Sequence, residues 1–359
     1  MVGRTIRVCA ALVAGTLLAA PGSVPTPRSM GEGGFEFIGV NLAGAEFGST
    51  NVWNDDGSGR VRIGQYGVDY TYPTADEIAY FRRHGMNIAR VPFLIERLQI
   101  EPFGPLRPAE LLRLDGVVAA AGEHGMTVLL DPHNYGHMWA HPIGSPDAPD
   151  AAFADFWHRL AAHYADVPHV VFGLMNEPHK QSPAAWAVSC NLAIRAIRAA
   201  ERAGITHQIN APGTYYQNGA SYVRQGNSDR FAEAIVDSGK RVVFEIHQYN
   251  DPEHRGADVP AVSADTGVLR LTEVTRWARG RGVKLFLGEF GGLDDALSLA
   301  ALENMLNFML DNSDVWQGAT QWAAGPWWPP SFAYRLEPVA GAMSPQMALL
   351  ARYGRNAPR

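Results

Sequence analysis

Short apolar runs alternate along the chain with longer stretches in which apolar residues repeat every three to four positions. A bounded apolar run of about four to eight residues is typical of a buried strand, and the longer repeat is typical of a helix with one buried face. The pattern predicts eight strands, which begin near Phe35, Asn87, Thr127, Val170, His207, Val242, Lys284 and Gln317.

Helical repeats fill the intervals between these strands. Thr74 and Glu77 have the spacing of a capping box, in which two side chains cap the first turn of a helix, and a helix is predicted at 78–84. Further helices are predicted at 111–123, 153–164, 184–203, 231–239, 268–280 and 297–310, and a last one at 346–353.

The regular alternation of strand and helix predicts an α/β fold. Strands joined by helices pair in parallel through right-handed crossovers, and eight such units in about 320 residues favour a closed (β/α)8 TIM barrel in a single domain. A doubly wound open sheet is the alternative, but no glycine-rich phosphate loop follows the first strand. The connection from Leu42 to Pro73 far exceeds the usual length of about two to six residues, so a long first βα loop is predicted.

The first residues have the pattern of a secretory signal peptide. Arg4 and Arg7 precede an apolar stretch at 8–20, which leads into a segment rich in proline and serine. A buried first helix is the alternative, because no polar face interrupts the apolar stretch. We predict a signal peptide with a short leader over residues 1–30, one domain over 31–359, and secretion to the extracellular space or the periplasm.

Composition adds three constraints. With 47% hydrophobic and 18% charged residues among 359, the chain can bury a large core. The net charge is −6 and no basic patch interleaved with aromatic residues appears, which disfavours nucleic acid as a partner. Removal of the signal would leave Cys190 as the only cysteine, so we expect no disulfide within the mature chain. We also expect a monomer that does not associate with a membrane once the signal is removed.

Candidate chemistry begins at the fourth predicted strand, VVFGLMNEPH. The apolar run stops at Asn176, Glu177 and Pro178, and proline extends neither a sheet nor a helix, so a carboxylate lies at the end of the strand. A polar residue beside proline is also ordinary turn chemistry. A second strand, KLFLGEFGG, ends in the same way on Glu289. Two carboxylates at two strand ends are typical of an acid and nucleophile pair.

Other polar and aromatic residues also follow predicted strands. Side chains at the carboxyl ends of parallel strands gather at one mouth of a barrel. Each residue alone has a structural explanation, such as a hydrogen-bonded core histidine or a core tryptophan, but together they indicate a site. They are Arg90, His133, Asn176, His247, Tyr249 and Trp322.

Several ordered motifs resemble the glycoside hydrolase family 5 cellulases, and within them the secreted fungal and bacterial endoglucanases. The motifs are GVNLAGAEFG, YPTADEIAYFRRHGMNIARVPF, LLDPHNYG, VVFGLMNEPH, EIHQY, GEFGG and QWAAGPWW. The resemblance implies a TIM barrel with Glu177 as general acid/base, Glu289 as nucleophile and Trp322 as a sugar platform. The family's supporting positions fall on Arg90, His133, Asn176, His247 and Tyr249.

The reaction that the resemblance implies is retaining hydrolysis of internal β-1,4-glucosidic bonds in cellulose or a related β-glucan. Such hydrolysis needs two carboxyl groups about 5 to 5.5 Å apart, one protonated to assist the leaving oxygen and one ionised to attack the anomeric carbon. We expect Arg90 and Tyr249 to donate to Glu289 and keep it ionised, with Glu177 held protonated.

Aromatic residues in the predicted loops after the third, fifth and eighth strands would extend sugar binding along a cleft. Burial beneath a loop explains each of them about equally well. They are Trp139, Tyr215, Tyr216, Trp327 and Trp328, with His137 as a polar wall. After the fifth strand the chain reads PGTYYQNGA, whereas many family members carry a tryptophan there.

No cofactor or metal is predicted. His133, His137 and His141 are spaced by four, but nearby prolines and a glycine break a continuous helix, and no H-x-H or H-E-x-x-H pattern accompanies them. Two alternatives stay open. The first is another substrate, namely mannan, xylan, mixed-linkage glucan or β-1,3-glucan. The second is a barrel that binds glycans without cleaving them.

Overall fold

The computed structural model describes residues 34–48 and 63–354. The predicted signal peptide and leader lie outside the described residues. Within the described ranges, no helix combines the length and apolar character that crossing a bilayer requires.

Eight parallel strands form a closed barrel, which confirms the predicted fold. The strands are β1 (Phe37–Leu42), β2 (Ile88–Phe93), β3 (Thr127–Pro132), β4 (Val170–Gly173), β5 (Ile209–Pro212), β6 (Val242–His247), β7 (Leu285–Glu289) and β8 (Trp316–Ala324). Each strand pairs with its neighbours in sequence, and β8 closes the ring on β1. A two-stranded hairpin, His137–Met138 with His141–Pro142, follows β3.

Helices cover the outside of the barrel. They are α1 (Ala75–Arg83), α2 (Pro108–Glu123), α3 (Asp150–His163), α4 (Pro183–Ala200), α5 (Thr266–Arg281), α6 (Ala296–Asp311) and α7 (Pro345–Gly354), with a single turn at Ile95–Leu98. The capping box before α1 is confirmed: the Glu77 amide donates to Thr74 Oγ1 at 3.3 Å, and the Thr74 amide donates to Glu77 Oε2 at 2.9 Å. Both bonds satisfy amides that a helix leaves unpaired at its start.

The helix predicted at 231–239 is wrong. A π turn at Asn227–Phe231 and a 3-10 turn at Ala232–Ala234 replace it. Asp237 accepts hydrogen bonds from the amides of Gly239 and Arg241, at 2.9 and 2.8 Å. An aspartate that bonds the amides just after it stabilises a turn in competition with a helix. The apolar repeat in this segment does not mark a buried helix face, because Val236, one of its apolar residues, is exposed.

The interior of the barrel has two layers of different chemistry. The lower one, the apolar floor, consists of Ile88, Leu129, Val171, Val243 and Phe286, with Phe37 packed against it. Alternate residues of a strand face the same side, so the positions two residues further on also point inward. Three of those positions are glycines, and the others form a buried charged layer: Arg90, Asp131 and Glu245.

The glycines make room for the charged layer. A Cβ atom on Gly288 would lie 2.3 Å from Glu245 Oε1, closer than any real contact allows. Gly288 directly precedes Glu289 in β7. The strand that ends in the Glu289 carboxylate therefore also leaves space for the Glu245 carboxylate. Strand alternation therefore sets a charged layer between the apolar floor and the mouth of the barrel.

Candidate active site

Glu289 ends β7 and is almost fully buried. Arg90 Nη1 donates to its Oε1 at 2.9 Å, and the Tyr249 hydroxyl donates to its Oε2 at 2.9 Å. Burial acts to raise the pKa of Glu289, but the charges of His247, Arg90 and His133 and the Tyr249 hydrogen bond outweigh it and lower the pKa below its usual value. The geometry therefore favours an ionised carboxylate.

Glu177 follows β4 and keeps part of its side chain open to solvent. His247 Nδ1 lies 2.8 Å from Glu177 Oε1, and the Glu177 amide donates to Gln217 Oε1 at 3.2 Å. A carboxylate oxygen of Glu177, one of Glu289 and a ring nitrogen of His247 all lie within 4.8 Å of one another. The two carboxylates that are 112 residues apart in sequence thus face one small space.

His247 lies between carboxylates on both sides of its ring. Nδ1 faces Glu177, Nε2 lies 3.3 Å from Glu245 Oε1, and Nδ1 is 3.6 Å from Glu289 Oε2. Burial acts to lower the pKa of His247, but these three carboxylates raise it to about 9. The ligand atoms of Glu177, His247 and Glu289 are close enough together to hold a metal ion. A metal would have to displace the proton of His247, because a protonated imidazole has no free lone pair.

Arg90 is the hub of the site and is fully buried. Besides Glu289 it contacts Asp131 Oδ1 at 3.1 Å and Glu245 Oε1 at 3.3 Å. It also donates to the side-chain oxygens of Asn41 and Asn176, both at 2.8 Å. A single guanidinium therefore orients the nucleophile candidate and the asparagine next to the acid candidate.

His133 and Trp322 form a stacked pair of rings at the mouth of the barrel. Their rings stack with centroids 5.5 Å apart and planes tilted by 18°. His133 Nδ1 lies 2.8 Å from Asp131 Oδ2, and His133 Nε2 is 3.1 Å from Asn176 Nδ2. Burial acts to lower the pKa of His133, but Asp131 and the other nearby carboxylates raise it overall. The structure thus brings together all eight residues that the sequence placed at strand ends.

Comparison with known proteins decides the family. Residues 40–325 match the family model described as cellulase (glycosyl hydrolase family 5). The chain belongs to glycosyl hydrolase family 5. The resemblance that the motifs indicated is therefore confirmed at the level of the family.

Individual relatives support this assignment to family 5. The chain is 33% identical over 332 residues to endo-β-1,4-glucanase B of Emericella nidulans, covering 92% of this chain and 93% of that one. It superposes with a TM-score of 0.83 at 39% identity on a triple mutant of an endo-β-1,4-glucanase from Xanthomonas axonopodis pv. citri, covering 90% and 100% of the two chains. XacCel5A in complex with cellopentaose gives 0.82 at 39% identity, covering 89% and 99%.

The aromatic residues predicted to bind sugar take different positions in this family 5 barrel. Tyr215 and Tyr216 line a cleft of about 670 Å³ together with Glu177 and His247. Tyr216 is half-exposed, and its ring stacks on His179 with centroids 4.6 Å apart. One face of the Tyr216 ring is thus packed against the His179 ring.

The remaining predicted aromatic residues divide between surface and packing. Trp327 is exposed, whereas Trp328 stacks on Phe332 at 3.8 Å. Trp139 is half-buried, and its indole N–H donates to the Gln99 carbonyl at 3.1 Å. His137 is buried, and burial lowers its pKa to about 4. For these residues a role in binding stays a prediction.

Sequence reasoning missed three residues of the site: Asp131, Glu245 and Gln217. Asp131 and Glu245 each stand two positions before a histidine, in LLDPH and VVFEIH. On a strand that spacing places both side chains on one face, and this signal could have found them. Gln217 gives no such signal, because it enters the site from a turn with positive φ angles.

Proposed function

We propose that this chain is a secreted endo-β-1,4-glucanase that cleaves internal bonds of cellulose or a related β-glucan with retention of anomeric configuration. The observation that carries the proposal is the pair of facing carboxylates, Glu177 and Glu289, with oxygens within 4.8 Å. Retaining glycosidases hold their carboxyl groups about 5 to 5.5 Å apart, whereas inverting ones need about 6.5 to 9.5 Å to admit a water molecule. The short separation supports double displacement.

In the first step Glu289 attacks the anomeric carbon. Glu177 donates its proton to the glycosidic oxygen as the bond to the leaving sugar breaks, and a glycosyl ester forms on Glu289. Arg90 and Tyr249 hold the attacking carboxylate in place. The lowered pKa of Glu289 supports its part as the ionised partner.

In the second step water opens the ester. Glu177, now ionised, takes a proton from the water that attacks the anomeric carbon, and Glu289 leaves as a carboxylate. The protonated His247 beside Glu177 stabilises the negative charge that Glu177 carries between the two steps. Both carboxylates return to their starting state.

The substrate assignment draws on the relatives. The relatives from Emericella nidulans and Xanthomonas axonopodis pv. citri are endo-β-1,4-glucanases, and XacCel5A binds cellopentaose. Each is similar to this chain over about nine tenths of its length. Secretion is inferred from the sequence of residues 1–30 alone, and amino-terminal sequencing of protein from the culture medium tests it.

Product analysis tests the function. Purified protein is incubated with carboxymethyl cellulose, barley glucan, mannan and xylan, and the length and anomeric configuration of the products are followed by chromatography and NMR. We expect rapid loss of viscosity and β-configured oligosaccharides from the two glucans. Faster release from mannan or xylan would reassign the substrate. Binding without release from all four would favour the non-catalytic alternative.

A further inference from the structure

Glu245 is a buried carboxylate to which the two steps above assign no role. Its Oε1 forms an ion pair with Arg90 Nη2 at 3.3 Å and accepts from His247 Nε2 and Gln217 Nε2, also at 3.3 Å. Its Oε2 accepts from Asn210 Nδ2 at 3.1 Å. Burial acts to raise the pKa of Glu245, but the charges of Arg90 and His247 and the hydrogen bonds lower it below its usual value, so the carboxylate is held ionised.

Two routes of hydrogen bonds lead from Glu245 to Glu177. The first passes through His247, whose Nε2 faces Glu245 and whose Nδ1 faces Glu177 Oε1. The second passes through Gln217, which donates to Glu245 and accepts from the Glu177 amide. One route reaches the carboxylate of Glu177 and the other reaches its backbone.

The backbone that these routes hold is in an unfavourable conformation. Glu177 has a φ of 42°, and Tyr215, Tyr216 and Gln217 have φ angles of 55°, 61° and 42°. Residues other than glycine stay in this region only where the surroundings hold them there, and such positions concentrate at functional sites. The side chain of Gln217, which is fully buried, ties the two segments together.

We propose that Glu245 is a positioning residue that directs the acid proton of Glu177 to Oε2, the oxygen that His247 does not contact. This inference rests on the proposed function of Glu177. With Glu245 ionised, His247 carries hydrogens on both ring nitrogens and donates Nδ1–H to Glu177 Oε1. The proton of the acid then resides on Oε2, and His247 offers no lone pair to receive it.

Removing the charge of Glu245 would change this arrangement. Three carboxylates face His247, namely Glu177, Glu245 and Glu289, and Arg90 lies behind Glu245. In the Glu245→Gln variant one of these anions is lost, so His247 becomes neutral at a lower pH. A neutral His247 can accept the acid proton at Nδ1, where it does not reach the leaving oxygen.

The experiment compares a poor and a good leaving group. The value of kcat/KM reports the first step, which needs the acid for cellopentaose but not for 2,4-dinitrophenyl β-cellobioside. For Glu245→Gln we expect a loss of about 100-fold on cellopentaose and of less than about 5-fold on the aryl glycoside. We also expect the alkaline limb of the cellopentaose profile to move down by about one to two pH units.

Asp131→Asn is the matched control. Asp131 belongs to the same charged layer and contacts Arg90 and a histidine, His133, but it is not a partner of His247 or Gln217. We expect this variant to lower both rates by similar factors. Gln217→Met keeps the side-chain volume and removes the second route, and we expect a smaller loss that again falls mainly on cellopentaose.

Equal losses on the two substrates in Glu245→Gln would overturn the proposal. Thermal unfolding monitored by circular dichroism shows whether that variant folds, and if it does not, an equal loss in Gln217→Met is the outcome that rejects the proposal. A wild-type protein that hydrolyses neither compound would instead contradict the proposed function. The two failures are therefore distinguishable.

Discussion

Two buried ion networks occupy opposite ends of the barrel strands. The mouth network lies at the carboxyl ends and consists of Arg90, Asp131, Glu245, His247 and Glu289. The base network lies before β5 and β6, at the amino ends, and consists of Arg198, Glu201, His207 and Asp237. Both networks consist of arginine, histidine and acidic residues, but their charged groups have different partners.

In the base network the charged groups point at one another and at the backbone. Arg198 donates to both oxygens of Asp237, at 2.7 and 2.9 Å, and to Glu201 Oε1 at 2.6 Å. Asp237 also accepts two amides, and Arg198 donates to the His207 carbonyl at 2.8 Å. Bidentate pairing with further backbone bonds is the arrangement that makes a buried ion pair tolerable.

In the mouth network one cation is divided among three anions. Asp131, Glu245 and Glu289 share Arg90, and Glu245 and Glu289 also lie beside the protonated His247. Glu289 contacts both of these cations and also faces Glu177 across the cleft. The comparison teaches that an ion network whose members all pair with one another or with the backbone stabilises the fold, whereas one that leaves a carboxylate facing a cleft can supply a nucleophile.

The largest expected effect comes from removing Glu289, the carboxylate of the mouth network that faces the cleft and Glu177. Glu289→Ala should lower kcat by roughly 10⁵-fold, because it removes the proposed nucleophile. Its melting temperature should not fall, since Arg90 keeps Asp131 and Glu245 as partners. Added azide should restore turnover and give a product of opposite anomeric configuration, which NMR detects. Unchanged hydrolysis by this variant would refute the assignment of the nucleophile.

A second test weakens the hub. Arg90→Lys should lower kcat/KM by about 100- to 1000-fold, because an ammonium group cannot reproduce the forked contacts of a guanidinium. Arg90 helps to hold the pKa of Glu289 below its usual value, and the ionised form attacks. The pKa should therefore rise and the acid limb of the rate profile should move to higher pH. In Arg198→Lys, the matched change in the base network, an altered acid limb would contradict the comparison.

A third test breaks the base network. Asp237→Ala should lower the free energy of unfolding by about 3 kcal/mol, because it leaves Arg198 buried with half of its partners. Denaturant titration measures this loss, and kcat per folded molecule should stay the same. A loss of activity without a loss of stability would contradict the division between the two networks.

The pair of Arg198 and Asp237 also predicts that the stability of the fold depends on pH. Burial acts to raise the pKa of Asp237, but the Arg198 contacts and the backbone amides lower it overall. A carboxylate whose pKa is lower in the folded state stabilises the protein above its unfolded pKa, near 3.8, and this contribution is lost as the pH falls through the folded value. Asp237→Asn should remove that part of the acid sensitivity, which unfolding curves between about pH 5 and pH 2 would measure.

The smallest expected effect lies at the rim of the mouth. Tyr216→Ala should raise KM for cellopentaose by about 2- to 10-fold with little change in kcat, because one aromatic contact contributes about 0.5–1.5 kcal/mol to binding. Leu112, on the outer face of α2, is also exposed and serves as the control position. If Leu112→Ala raises KM by the same factor, the effect is not due to the cleft.

The barrel could be predicted from sequence because each apolar run is also a buried strand. The run at Val170 and the run at Lys284 end in carboxylates, and the closed fold brings those ends together. The 231–239 segment failed because Asp237 bonds to amides after it, a local competition that apolar spacing does not reveal.

Glu245 and Gln217 were harder to predict, because their places in the site depend on the geometry of the folded barrel. Glu245 lies within VVFEIH, and in a single strand an acidic residue is expected to face solvent. Only closure of the sheet turns that face into an interior, where Arg90, 155 residues earlier, and His247 compensate the charge. Gln217 depends on a run of positive φ angles that its residue types do not favour.

Gly288 shows how the charged layer would appear in a mutational scan. Any side chain at this position would displace the Glu245 carboxylate, since even a methyl group would overlap it. We expect a library at position 288 to yield almost no active clones, although this residue offers no functional group to a sugar. A screen for activity would thus identify Gly288 as essential although it takes no part in the chemistry. The reason would be that the absence of a side chain at Gly288 leaves space for the Glu245 carboxylate.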